Sequence, residues 1–190
     1  MKYISIFTLF AVCTLLSGCL GDVLDPKEDP TTFYTIKNLP AEKTSDFDGS
    51  VGINFVASGY LTRSQITSLN KDSTVRISEF NRWVEIPENL LARAFATAVA
   101  KNAPKATVFL YPEISCLDGK HCDVRITITD CIGSINGTLN FSGRWIVIKN
   151  GKGKAYNFNK TVSSGKGYSG YVDAISKCIA EVSAEIAKSI

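Results

Sequence analysis

The chain has 190 residues, 45% of them hydrophobic, with 21 Lys+Arg against 18 Asp+Glu and a formal net charge of +3. This length suits one domain with a proper hydrophobic core that does not depend on staples. So mild a charge balance, with no basic run, gives no case for nucleic acid as a partner.

Met1-Lys2 precedes an apolar run from Tyr3 to Leu16 and then Leu16-Ser17-Gly18-Cys19. One basic residue, a short apolar stretch and small residues at the cut point describe a secretory signal peptide over residues 1–18. The run is shorter than the roughly 20 apolar residues that a spanning helix needs. Leu-Ser-Gly-Cys resembles the lipobox of bacterial lipoproteins. That resemblance implies that Cys19 is lipidated, with diacylglycerol and a further acyl chain such as palmitate, and becomes the first mature residue. Two or three chains anchor stably where one would be marginal. The alternative is an ordinary cleaved signal with a Cys nearby.

Residues 19–32 read as a lipidated tether, crowded with Asp22, Asp25, Pro26, Glu28, Asp29 and Pro30 and lacking apolar periodicity. About a dozen flexible residues would hold the domain roughly 20 Å from its anchor. Residues 33–190 then form a single globular domain. Thr31 to Ile36 and Val51 to Val56 are the first strand candidates, rich in β-branched and aromatic residues. Gly59 to Ser73 reads as irregular and polar, and Thr74 to Phe80 alternates again. Pro87, Glu88 and Lys101 fit the two ends of a helix in which Leu91, Phe95, Ala98 and Val99 share a face. Thr107 to Tyr111 is a strand directly after it, so a β-α-β unit and some parallel pairing are expected. Val124, Ile126 and Ile128 alternate, Thr138 to Ile148 and Lys154 to Val162 follow, and Asn136-Gly137 and Asn150-Gly151 mark hairpin turns. Tyr171, Ile175, Cys178, Ile179, Val182 and Ile186 make the stripe of a last helix. The fold class is α/β or α+β: a mixed sheet of about five to seven strands with two main helices, the second at the C-terminus.

Six Cys are present. Cys13 leaves with the signal and Cys19 is committed to lipid. Cys116, Cys122, Cys131 and Cys178 remain, an even number in an oxidising compartment. Of three pairings, Cys116–Cys122 and Cys131–Cys178 are favoured. The second closes a loop of about 47 residues, worth about 4 kcal/mol on the chain-entropy model.

His121 is the only His. A zinc site with Cys116, Cys122 and Cys131 is conceivable, but the spacing matches no structural-zinc pattern, and a loop His beside a disulfide is preferred. Cys131-Ile132-Gly133-Ser134-Ile135 gives no nucleophile elbow, and no hydrolase triad is read. Gly151-Lys152-Gly153-Lys154 lacks phosphate-loop spacing and suits a basic hairpin tip touching lipid headgroups or an acidic partner. No catalytic residue, metal or cofactor is expected. Arg82-Trp83 has two readings: Trp83 anchors the helix start in the core while Arg82 pairs with a carboxylate, or both dock a partner. Tyr60, Leu61 and Arg63, in a long irregular segment, are docking candidates on the same terms.

The lipobox, Phe33 to Ile36, Val51 to Ile53, the Tyr60-Leu61-Thr62-Arg63-Ser64-Gln65-Ile66 segment, Arg82 to Pro87 entering a helix, the Trp145 strand and the final helix occur in one order. In that order they resemble the ABC-type transport auxiliary lipoprotein family, the PqiC-like or YmbA-like proteins. Gly59 stands where that family often has Pro. The resemblance implies a non-catalytic auxiliary component, working beside an ABC-type or MCE-type system that moves lipids between membranes. Leu20 after Cys19, where an inner-membrane retention signal would place Asp, favours the outer membrane, facing the periplasm. The other readings are a periplasmic carrier of a lipid or small apolar ligand and a surface-exposed structural lipoprotein. Homo-oligomers are left open.

Overall fold

A computed structural model describes residues 28–37, 39–113 and 119–190. Thr31 to Ile190 form one compact unit. Its strands are β1 (Thr32–Tyr34), β2 (Gly49–Ala57), β3 (Gln65–Leu69), β4 (Val75–Trp83), β5 (Ala106–Leu110), β6 (His121–Gly133), β7 (Thr138–Lys149) and β8 (Lys152–Ser163). Its helices are α1 (Pro87–Asn102) and α2 (Gly167–Ser189), with a 3-10 turn over Gly59–Thr62. Eight strands thus stand where about five to seven are expected. They form two sheets rather than one, ordered β1-β4-β3 and β5-β2-β6-β7-β8. The strand missed in sequence is β3. Its five residues, Gln-Ile-Thr-Ser-Leu, are buried at Ile66, Thr67 and Ser68 in succession, so no alternation betrays it.

Parallel pairing is present, with β2 parallel to both β5 and β6, but the strands that flank α1 do not form the expected β-α-β unit: β4 lies in the small sheet and β5 in the large one. Residues β6 to β8 run as an antiparallel meander. Asn150 and Gly151 both have positive φ, 50° and 72°, which makes the β7–β8 turn one that Asn-Gly tolerates. At the other hairpin only Asn136 adopts positive φ (63°).

Helix α1 starts on Pro87, a residue whose missing N–H is harmless at that position. Asn102 ends it, and its side-chain amide donates to Ala98 O at 2.8 Å. Leu91, Phe95, Ala98 and Val99 are all buried, as is the predicted stripe of α2. Both helices press on the large sheet through aromatic contacts. Phe95 of α1 stacks on Phe141 of β7 with centroids 6.4 Å apart, and Trp145 Nε1 donates to Ser189 Oγ of α2 at 3.1 Å.

Strand β6 carries one extra residue near Thr129, where its pairing with β7 jumps from Ile128↔Gly143 to Asp130↔Ser142. Such a bulge flips the side-chain alternation. Val124, Ile126 and Ile128 face the core before it, and Cys131 and Gly133 face it afterwards. Tyr171 of α2 ties the two sheets together. Its hydroxyl accepts from Gly133 N at 3.1 Å and donates to Thr67 O at 3.3 Å.

The crosslink expected between Cys131 and Cys178 is not formed. Cys122, Cys131 and Cys178 are buried free thiols, acting as small core hydrophobes. Cys116 and Cys19 lie outside the described residues, as does most of the tether. No described helix is long and apolar enough to cross a membrane.

Candidate docking face

The residues singled out by sequence separate by strand geometry. Strand β1 runs parallel to β4 with Phe33 beside Arg82 and Tyr34 beside Trp83. Residues paired this way share a face, and neighbours along a strand alternate. Tyr34 and Trp83 turn inward. Trp83 is 5% exposed, and the Tyr34 hydroxyl donates to Asn81 Oδ1 at 3.0 Å. Phe33 and Arg82 therefore turn outward. Val84 N donates to Tyr34 O at 2.9 Å, extending the ladder and keeping Val84 on the outer side with Arg82.

Apolar groups crowd this outer side and the irregular stretches beside it: the pairing of β4 with β3 slips between Ile77 and Arg82, and Ile86 lies in the link beyond the strand. Phe33 is 61% exposed, Val84 57%, Ile86 45% and Phe80 44%. With Val75 and Ile77, six of the eight large apolar side chains exposed among the described residues lie on β1, β4 or the link into α1. Arg82 sits among them, its Nε donating to Glu79 O at 3.0 Å. Gln65 of β3 pairs with Arg82 on its other side, and Trp83 N donates to Ser64 O at 2.6 Å. Arg63, exposed, follows the 3-10 turn at this edge. The link is held to α1 by a two-pronged ion pair: Arg93 Nη1 donates to Glu85 Oε2 at 2.7 Å, and Nη2 to Oε1.

Two docking candidates are corrected. Trp83 is core, and so is Leu61 at 5% exposure; neither can meet a partner. Tyr60 is half-buried, its hydroxyl accepting from Cys131 N at 2.6 Å, and burial pushes its phenol up to about 12. Of the five, only Arg63 and Arg82 offer their side chains to the surface. The sequence reading missed Phe33, Phe80, Val84 and Ile86 as surface groups. A signal existed: from Phe80 to Ile86 apolar residues occupy both alternating sets, Phe80, Val84 and Ile86 in one and Trp83 in the other, so both cannot be buried under one layer.

His121 is corrected too. It opens β6 rather than lying in a loop. Its Nδ1 lies 2.8 Å from Ser50 Oγ and its Nε2 lies 3.2 Å from Asp123 Oδ1, which also accepts from the Tyr111 hydroxyl at 2.7 Å. These residue types occur in hydrolytic triads, but Ser50 is 3% exposed inside a strand, out of reach of a substrate. The chain of bonds fastens β2, β5 and β6 at one end. No group of His, Cys, Asp and Glu among the described residues could hold a metal.

Inside the domain, the void beside Tyr60, Leu61, Trp83, Leu91, Cys131 and Tyr171 has a volume of about 10 Å³. That is room for about one water molecule. A cleft of about 220 Å³ lies at the surface between Thr35, Ile36, Leu39 and α1, rimmed by Lys37, Arg93 and Lys101.

A family model described as "ABC-type transport auxiliary lipoprotein component" matches residues 34–187. No curated protein matches the chain. A solved structure described as an uncharacterized protein is 17% identical, covering 84% of this chain and 97% of its own, with a TM-score of 0.69. A Xanthomonas campestris protein of the family model DUF330 is 10% identical over 82% of this chain and 92% of its own, with a TM-score of 0.59. Both likenesses are of fold.

Proposed function

The chain belongs to the ABC-type transport auxiliary lipoprotein family, and from that premise we propose that it is a lipid-anchored, non-catalytic adaptor of a transporter. In this reading Cys19 carries the acyl chains, residues 19–32 are a leash, and the folded domain faces the periplasm from the outer membrane. There it meets an MCE-type or other periplasmic component of a system that moves lipid between membranes. Confinement to the bilayer rim raises the encounter rate with that component without a strong pairwise affinity.

The observation that carries this reading is the pairing of a filled interior with an apolar, Arg-bearing exterior. A void of about 10 Å³ cannot take an acyl chain, which argues against a carrier that encloses its cargo. Exposed apolar groups concentrated on one small sheet mark a surface that meets another body, protein or membrane, rather than enclosing a ligand. A carrier would have to use a surface cleft instead.

Crosslinking in intact cells followed by affinity capture tests the proposal. The expected result is enrichment of an ABC permease or MCE-type protein with the wild type and loss of that enrichment with Cys19→Ser. No enriched transport component, together with wild-type behaviour of Cys19→Ser, would refute it.

A further inference from the structure

The strip formed by Phe33, Phe80, Val84 and Ile86 around Arg82 has no covering element within the described residues. We propose that a phospholipid bilayer covers it, with the four apolar side chains in the headgroup–acyl boundary and Arg63 and Arg82 on lipid phosphates. The inference rests on the lipid-anchored reading above and adds which face of the domain meets the membrane.

Three observations point to this occupant. The first is where the leash enters. The chain outside the structure ends just before β1, and β1 carries Phe33, the most exposed large apolar side chain described. From Cys19 to Phe33 is fourteen residues, so the lipid-anchored reading keeps Phe33 within a short chain length of the acyl group. The first strand is thus the element nearest the anchor along the chain.

The second is composition. Apolar groups neighbour Arg82, and Arg63 is exposed at the same edge; an arginine can lay its stem on apolar surface while its charge stays wet, which suits a membrane interface. Of the nearby carboxylates, Glu85 is engaged by Arg93, and Glu79 is exposed beside Phe80.

The third is charge. A second copy of the chain, docking the same patch to itself about a two-fold axis, would bring Arg63 and Arg82 against their own equivalents, a like-charge cost. Lipid phosphates supply the opposite sign.

The test uses the full lipidated protein in phosphatidylethanolamine–phosphatidylglycerol vesicles whose acyl chains are brominated near the headgroup. Val84→Trp and, separately, Phe33→Trp place a reporter on the strip; both positions are exposed, so the fold has room for the ring. Asn157→Trp on exposed β8 is the control, and Trp83 and Trp145 give the same background in all three. The expected result is loss of most of the emission added at positions 84 and 33, with no loss at 157. Equal quenching at 84, 33 and 157, or none at any, overturns the inference. So does a doubled particle mass in detergent with positions 84 and 33 shielded from iodide, because a second copy then covers the strip. Flotation separates this inference from its premise: wild type that does not float with the vesicles sinks the anchor itself. Wild type that floats while positions 84 and 33 stay unquenched sinks only the orientation.

Discussion

Trp83→Ala and Val84→Ser, one position apart, should have very different costs. Trp83 is buried between Tyr34 and the small internal void, so its truncation is expected to cost about 3–5 kcal/mol. Val84 is 57% exposed, and its replacement should stay within about 0.5 kcal/mol. Urea titration of the two variants checks this. The thiols give a second residue-scale expectation. Burial pushes Cys122 and Cys178 up to about 11, against about 8.5 for a free thiol, and pushes Cys131 up as well. At pH 8 their alkylation in the folded protein should be slower by about two orders of magnitude than after unfolding. Mass spectrometry of timed quenches reads the difference; modification at the free-thiol rate would contradict the burial described.

At the scale of elements, the β6–β7–β8 meander depends on Gly143. A methyl added there would meet the carbonyl oxygen of Thr127 and lie 2.7 Å from Cζ of Phe158. Gly143→Ala is therefore expected to destabilise by about 1–3 kcal/mol, read as a lowered denaturation midpoint at unchanged slope. The two helices and this meander were legible in the sequence because each has one wet face. Leu91, Phe95, Ala98 and Val99 repeat at helical spacing, and Asn150-Gly151 announces its turn. The small sheet was not legible. Strand β3 is covered on both sides at its centre and so loses its alternation. Around Arg82-Trp83 the larger ring takes the core and sends three apolar neighbours outside, against what a simple count of hydrophobic positions would give. The shift near Thr129, which turns Cys131 inward, shows in sequence only as a break in phase between Ile128 and Cys131. The expectation of lipidation at Cys19 falls on residues outside those the structure describes.

For the whole molecule, the buried thiols predict an alkaline limit. Below about pH 8.5 both folded and unfolded chains keep these protons. Above it the unfolded chain releases them while the fold holds on, up to about pH 11 for Cys122 and Cys178. Stability in the presence of reductant should fall through that window by about 1.4 kcal/mol per thiol per pH unit. Thermal melts across the range check it, and a flat profile would count against it. The three-residue length of β1 bears on the molecule in another way. If the acyl group is fixed and the domain is tugged, the load path runs through Thr32 to Tyr34 and their ladder to β4 before it reaches anything larger. So short a ladder gives way ahead of the meander. On the proposed anchoring it would act as a mechanical fuse, letting out slack under tension while the rest of the domain stays folded.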